Sequence, residues 1–241
     1  MIKKSNPFSG RILLLTTALF SAFYSAVSYG DWTTKIYDLG SKSKLLYTSV
    51  DKEEKNGDLV TGHVTFNDPQ GKEAVREDYT LQNGKLIKYT LHQRQVNEEG
   101  TLEVKDGRTN FSYTKEGKTS TDDEKAVDNL VTGPVIIRYI QGHWDEIMKG
   151  DTVDVRWAAL DRKETVGFKF FKMEEKQMDG KNVVLVKMKP TSIVIAAIVD
   201  PLIIIFERDS KKLLEIKGRT LPRQMIDGHW KDLDADTLFS S

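Results

Sequence analysis

Apolar and polar positions alternate over much of the chain between residues 32 and 118. From Ile87 to His92, for example, every second side chain is apolar or aromatic. A period of two residues predicts β-strands with one buried face. At four places Gly follows a polar residue, and Gly readily adopts the positive φ of a tight hairpin. The predicted turns are Asn83-Gly84, Glu99-Gly100, Asp106-Gly107 and Glu116-Gly117. Successive short hairpins predict an antiparallel meander.

The pattern becomes helical in the middle of the chain. The polar segment 119–128 interrupts the strand pattern. From Pro134 to Met148, apolar pairs recur every four residues, which is the spacing of one face of an α-helix. Pro is favoured in the first helical turn, and Gly150 is well suited to end the helix. The sequence therefore predicts one amphipathic helix over 134–148 that covers the sheet.

The most apolar stretch lies between residues 192 and 206. Asp200-Pro201 divides it, and a residue that precedes proline is driven toward an extended conformation. The first half, 192–199, is predicted to be a short buried helix capped by Ser192. The second half, 202–208, is predicted to be a strand covered on both faces, because it lacks alternation. Neither half has the roughly 20 apolar residues that a membrane-spanning helix needs.

Strand patterns also follow the central helix, for example from Val153 to Trp157 and from Val166 to Phe170. Together they predict a mainly β protein with ten to twelve strands. An antiparallel sheet of that size tends to curl. We therefore expect one large curved sheet, a half-barrel, with two helical segments covering its concave face.

The first thirty residues predict export from the cytoplasm. Lys3, Lys4 and Arg11 precede an uncharged apolar run, Ile12–Val27, and small residues follow it. This order is typical of a cleavable signal peptide. An uncleaved N-terminal anchor is the alternative, although the run is short for a spanning helix. We expect a signal peptide over 1–30 and a single β-rich domain over 31–241.

Charge and cysteine content limit the classes of partner and the cellular compartment that we expect. Without the predicted signal peptide the chain has 33 Lys and Arg against 36 Asp and Glu, a net charge of about −3. A nucleic-acid binder would carry a strongly basic surface, so no nucleic-acid partner is expected. The chain has no Cys, whereas small secreted domains often depend on disulfides. These features favour a periplasmic protein of a Gram-negative bacterium.

Two segments carry a resemblance to known proteins. The sequence GPVIIRYIQGHWDEIMKGDTVDVRW (133–157), followed by VGFKFFKME, and the sequence IVDPLIIIFERDSKKLLEIKGRTL (198–221) resemble a family of uncharacterised periplasmic proteins from Gram-negative bacteria. The layout is more distantly similar to the half-barrel of the lipoprotein carrier protein and related periplasmic lipid binders. That resemblance implies a curved antiparallel sheet, closed by helices, around an apolar cavity. It implies no reaction.

The leading functional hypothesis is the non-enzymatic binding of a lipid or other apolar envelope component. A curved sheet leaves an interior that side chains must fill or a ligand must occupy. Arg138, in the middle of the helix, is the candidate for a contact with a polar head group. The residues predicted to line the apolar cavity are Val135, Ile136, Tyr139, Ile140, Trp144, Ile195, Ile198 and Val199.

Other functions remain open at this stage. A structural or adaptor protein with a solid core could bind an envelope protein by adding a strand to a sheet edge. His143 and His229 each lie near acidic residues and are candidate metal ligands or general bases. However, the sequence has no HExxH spacing, no GxSxG motif and no phosphate-binding loop. No catalytic residue, metal site or cofactor is therefore predicted.

Overall fold

The computed structural model describes residues 32–240. The predicted signal peptide, residues 1–30, lies outside the described residues. Within the described range the chain forms fifteen strands and three helices. The strands are β1 (Trp32–Asp38), β2 (Leu45–Asn56), β3 (Leu59–Asn67), β4 (Glu73–Gln82), β5 (Lys85–Gln93), β6 (Glu98–Lys105), β7 (Arg108–Lys115), β8 (Lys118–Lys125), β9 (Leu130–Val131), β10 (Val153–Ala159), β11 (Glu164–Met178), β12 (Lys181–Pro190), β13 (Leu202–Glu207), β14 (Leu213–Ile226) and β15 (His229–Ser240). The helices are α1 (Gly133–Gly142), α2 (Trp144–Lys149) and α3 (Ile193–Ala196).

All fifteen strands belong to one sheet in the order β8-β7-β6-β5-β4-β3-β2-β1-β15-β14-β13-β12-β11-β10-β9. Two meanders, β1–β8 and β10–β15, are joined where β1 pairs antiparallel with β15. The short strand β9 pairs parallel with β10. Within residues 32–240 no backbone ladder joins β8 to β9, so the sheet is open. The prediction of one large curved antiparallel sheet is confirmed, with more strands than the ten to twelve expected.

The two flanks of the open sheet approach each other through side chains. Leu160, in the turn after β10, packs onto Gly100 of β6, where an added Cβ would lie 2.8 Å from the Leu160 side chain. The amide of Thr165 in β11 donates a hydrogen bond of 3.3 Å to the carboxylate of Glu124 in β8. The prediction of a turn at Glu99-Gly100 is wrong, because both residues lie within β6. Gly is needed there because a neighbouring side chain approaches closely.

Hydrogen bonds made at a bulge in β14 also cross the interior of the curved sheet. The pairing with β15 shifts between Thr220 and Gln224. The side-chain amide of Gln93 donates to the carbonyl of Leu221 at 3.0 Å, and the amide of Arg223 donates to Gln95 Oε1 at 2.7 Å. These bonds connect β14 of the second meander with the end of β5 and the following turn of the first meander.

The predicted central helix is present but divided in two. α1 and α2 meet at His143, whose φ of −105° and ψ of 20° interrupt the helix. Pro134 lies in the first turn of α1, and Gly150 ends α2 with a φ of 97°. The apolar sides of both helices pack on the inner face of the sheet and share one core with it. The polar segment that follows residue 118 forms strand β8, which the sequence pattern did not show.

The apolar stretch after residue 192 differs most from its prediction. Ser192 caps α3 as expected, since its hydroxyl accepts a hydrogen bond of 3.5 Å from the amide of Ile195. However, the segment 192–199 is exposed, not buried: Ile193 in α3 is 88% exposed, and Ile198, two residues after the helix, is 72% exposed. The strand β13 follows as predicted, with both faces covered. Phe206 lies in the inner core, while Ile205 packs in a second cluster with Val183 and Leu185 of β12.

Candidate functional site

A cavity of about 310 Å³ lies between the inner face of the sheet and α1. Apolar side chains from strands at distant positions in the sequence form most of its wall. They include Trp32, Val64, Phe66, Trp157, Phe168 and Phe239. The helix contributes Pro134, Ile136 and Ile137, and the chain after α3 contributes Val199 and Leu202. The arrangement is typical of a site for a small apolar molecule, which is concave and mostly apolar with few polar groups.

Two aromatic pairs hold parts of this wall in place. Trp32 of β1 and Phe239 of β15 meet edge to face with ring centroids 6.0 Å apart. Trp157 of β10 and Phe168 of β11 meet in a similar way at 6.5 Å. Edge-to-face contacts of this kind are favourable beyond the area that they bury. The wall is therefore built from rigid side chains on paired strands.

One group of polar side chains at the cavity is centred on Arg138, while Asp200 and Arg219 belong to another part of the lining. The guanidinium of Arg138 forms an ion pair with Glu53 of β2, and the two side chains are only 20% and 12% exposed. The hydroxyl of Tyr79 donates to Glu53 and, at 3.2 Å, to Asp51 Oδ1. Asp51 and Arg138 both line the cavity. We call the group of Asp51, Glu53, Tyr79 and Arg138 the polar cluster.

The closest packing in the polar cluster occurs where Tyr79 passes Gly62. A Cβ at Gly62 would lie 2.3 Å from the Tyr79 ring. Burial raises the pKa of Tyr79 above its ordinary range, and the negative charge of Asp51 raises it further. The phenol therefore remains protonated, and the carboxylates of Asp51 and Glu53 share its single proton as acceptors. It stabilises two carboxylates inside a largely apolar interior.

Glu77 of β4 supplies a second buried carboxyl to the cavity wall. It is 3% exposed, and the hydroxyl of Tyr89 donates to its Oε1 at 2.5 Å. Burial raises the pKa of Glu77 to about 8, although the Tyr89 hydrogen bond opposes this; the charge of Asp51 raises it further. Gly133, the first residue of α1, packs against this carboxyl. At neutral pH Glu77 is therefore an uncharged acid that can donate its own proton in a hydrogen bond.

Three of the nine residues predicted for the site lie around the cavity. Ile136, Arg138 and Val199 line it. Val135, Ile140 and Trp144 are buried in the core and do not line the cavity, because they lie on other sides of α1 and α2. 

The remaining three also lie outside the lining. Tyr139 stacks on His143 with centroids 4.3 Å apart, and its hydroxyl donates to the carbonyl of Asp154. Ile195 is half-buried and Ile198 is exposed, since α3 does not turn its apolar side into the interior. The helical segment alone therefore does not define the site.

Most of the lining was missed by the sequence analysis because it comes from strands. On β2, the inward positions Ser49, Asp51 and Glu53 are polar, so this strand shows no alternation that identifies its buried face. The stretch from Trp32 to Ile36 does carry such a signal, with a large apolar residue at each end. The inward carboxyl of Glu77 could not be recognised, since a Glu between Arg76 and Asp78 resembles a solvated position.

The two candidate histidines lie in separate parts of the structure. His143 is at the junction of α1 and α2, where its Nδ1 lies 2.9 Å from the carbonyl oxygen of Tyr139. His229 begins β15 at the tip of a hairpin and is exposed. Among residues 32–240, no group of three His, Asp or Glu side chains is arranged to hold a metal ion. The helices of the same range are also too short or too polar to cross a membrane.

Comparisons with known proteins give distant structural neighbours, including one from Brucella abortus and one from Vibrio parahaemolyticus. No family model and no curated protein matches the sequence. A β-barrel-like protein of the domain of unknown function DUF1849 from Brucella abortus is 10% identical, with 87% of this chain and 92% of that chain covered and a TM-score of 0.42. A structure described as an outer membrane lipoprotein-sorting protein domain from Vibrio parahaemolyticus is 12% identical, with 87% and 82% covered and a TM-score of 0.31.

One neighbour is a domain of unknown function and the other is a lipoprotein-sorting domain. At these identities and TM-scores, neither neighbour carries a function to this chain.

Proposed function

We propose that the chain is an exported periplasmic protein that binds a lipid or other apolar envelope component in this cavity, without enzymatic activity. The observation that carries the proposal is the cavity itself, with its mostly apolar wall and a small number of polar groups. Its volume of about 310 Å³ lies at the lower end of the range for small-molecule sites. We therefore expect it to hold one acyl chain or a compact apolar molecule.

The polar cluster supports a more specific expectation for the ligand. It contains two carboxylates, Asp51 and Glu53, and one guanidinium, Arg138. An anionic head group would add negative charge beside two carboxylates, which is unfavourable in an interior of low dielectric constant. An ester, amide or alcohol oxygen would instead accept a hydrogen bond from Arg138 or from the neutral acid of Glu77. The expected ligand is an apolar chain with an uncharged oxygen-bearing group.

Quenching of tryptophan fluorescence tests this proposal in solution. Trp32 and Trp157 line the cavity, whereas Trp230 is at a distant hairpin tip. A brominated acyl ester bound in the cavity should quench the tryptophan fluorescence of the exported chain. The quenching should reach saturation as the ester concentration rises. The double variant Trp32→Phe/Trp157→Phe should lose most of this quenching, and Trp230→Phe should retain it. Absence of saturable quenching, or unchanged quenching in the double variant, would contradict binding in the cavity.

One structural observation supports the alternative of an adaptor protein. Strand β8 pairs with β7 on one side, and its other backbone edge carries no further strand of the described sheet. An extended segment of a partner protein could pair with that edge. A stoichiometric envelope protein that co-purifies with the chain, together with no extracted lipid, would favour this second candidate.

A further inference from the structure

The helix α3 presents apolar side chains to solvent in an unusual concentration. Ile193, Val194 and Ile198 are each more than 70% exposed, and we call these three residues the α3 patch. α3 has no buried residue of its own. Its shape is held by the Ser192 cap and by backbone bonds, such as that from the amide of Val199 to the carbonyl of Ile195 at 3.0 Å. A cluster of large apolar groups in water marks an interaction surface.

The α3 patch lies at the rim of the cavity. The residues that follow it directly, Val199, Asp200 and Leu202, line the cavity. On the preceding side, the amide of Thr191 donates to the carbonyl of Gly167 at 2.9 Å. This bond fixes the start of α3 beside the start of β11. Whatever the α3 patch contacts is therefore brought to the mouth of the cavity.

A group of cations occupies the outer face of the neighbouring strands β10, β11 and β12. We call Arg156, Lys169, Lys187 and Lys189 the basic band. Among the described residues none of the four forms an ion pair. Lys169 and Lys189 are directly opposite each other on β11 and β12, where like charges are unfavourable without an anion.

The contacts of the basic band leave its charge uncompensated. Arg156 donates at 2.9 Å to the hydroxyl of Thr165, and Lys189 lies over the ring of Phe171 at 5.4 Å. Asp154 lies across from Lys169 in the strand pairing, and Glu124 accepts a hydrogen bond from the amide of Thr165, the residue that Arg156 contacts. The four cations outnumber these two acids, so the band has a net positive charge.

We propose that the α3 patch and the basic band form a docking surface for an anionic lipid bilayer. Apolar side chains beside basic residues are the combination that binds membrane interfaces, because the former enter the acyl boundary and the latter attract anionic head groups. Docking in this orientation places the cavity mouth against the bilayer, so that an apolar ligand can pass between them without crossing water. The inference deepens the proposed function and rests on it for the identity of the cargo.

A second exposed apolar site provides the matched control. Met225 and Trp230 face each other at the tip of the β14–β15 hairpin and are 52% and 38% exposed. The nearby arginines, Arg219 and Arg223, are paired with acids. The exposed Lys231 is matched in charge by Asp227 at the turn. The tip is therefore apolar without an excess of positive charge. It should contribute little to binding at an anionic surface.

Vesicle sedimentation with the exported full-length chain tests the proposal. Vesicles of phosphatidylcholine are compared with vesicles that also contain phosphatidylglycerol. We expect the wild type to sediment with the anionic vesicles and to be released by salt. Ile193→Ser/Val194→Ser/Ile198→Ser and, separately, Lys187→Gln/Lys189→Gln should each weaken this binding about tenfold. Met225→Ser/Trp230→Ser should bind as the wild type does.

Several results would overturn the docking surface. They are equal binding to both kinds of vesicle, no binding to either, or undiminished binding by the α3 variant. The acyl-ester quenching assay, performed without vesicles, separates this inference from the proposed function. An α3 variant that loses vesicle binding but keeps quenching supports docking. If the same variant loses quenching as well, the α3 patch belongs to the ligand site and the docking proposal fails.

Discussion

The hydroxyl of Tyr89 donates a hydrogen bond of 2.5 Å to Oε1 of Glu77, and both side chains are buried inside the curved sheet. An ionised carboxylate at this position would be strongly desolvated, so burial favours the neutral acid. The interior therefore contains a carboxyl group that is uncharged at neutral pH, close to the charged polar cluster. The cavity therefore has a neutral hydrogen-bond donor, Glu77, and a charged one, Arg138.

The first prediction concerns the dependence of stability on pH. Between pH 4.5, the ordinary pKa of Glu, and about 8, the unfolded chain releases the Glu77 proton while the folded chain retains it. The stabilising effect of a raised pKa is complete below 4.5 and is lost as the pH rises toward 8, by on the order of 5 kcal/mol. Glu77→Gln should remove this loss. Urea unfolding at pH 5 and pH 8 measures this loss. If the free energy of unfolding changed equally between the two pH values for variant and wild type, a neutral Glu77 would be contradicted.

The second prediction concerns the ion pair between Arg138 and Glu53. Arg138→Met keeps the apolar stem but leaves Glu53 without this partner, and we expect a loss of about 2–3 kcal/mol in the free energy of unfolding. Arg138→Met/Glu53→Gln should be more stable than Arg138→Met alone, because the unpaired charge is removed. The exposed pair of Arg108 and Asp123 is the control.

Arg108→Met should cost less than about 1 kcal/mol, since an exposed pair is screened by water. Thermal or urea unfolding of the four proteins completes the comparison. Equal losses for Arg138→Met and Arg108→Met would mean that the polar cluster is open to solvent.

The third prediction tests the contact between the two flanks of the sheet. Gly100→Ala would place a methyl group 2.8 Å from Leu160, and we expect a loss of about 1–3 kcal/mol from overpacking. Gly142→Ala, at the end of α1, meets no atom within 4 Å. It should be neutral or stabilising by up to about 1 kcal/mol, because Ala favours a helix over Gly. If both variants unfold at the same urea concentration as wild type, the flanks do not meet at Leu160.

Much of the fold could be predicted because its strands pair with their neighbours in sequence. In such a meander, turns such as Asn83-Gly84 and Asp106-Gly107 set the pairing locally. Strand β8 was missed because it is an edge strand exposed on both faces, and its polar sequence carries no buried pattern. Its pairing with β7 is fixed instead by the turn at Glu116-Gly117.

The site was less predictable, for physical reasons that differ between its parts. A helical period shows which side of α1 is apolar, but not whether a residue such as Ile140 faces side chains or a cavity. That depends on how the sheet curves, which long-range contacts such as Leu160 on Gly100 help to set. Burial of 192–199 was inferred from hydrophobicity alone. Hydrophobicity does not distinguish a core segment from an exposed surface that binds an apolar partner.

We propose that the cavity holds an apolar envelope component in the cell. The most direct measurement is mass spectrometry of organic extracts from the chain purified natively from a Gram-negative periplasm. We compare wild type with Ile137→Trp, which fills the cavity, and with Met148→Trp, which enlarges a half-buried side chain on α2 away from it. We expect a defined lipid in near-equimolar amount with wild type and Met148→Trp, and little with Ile137→Trp. No lipid with wild type, or the same amount with all three, would contradict it.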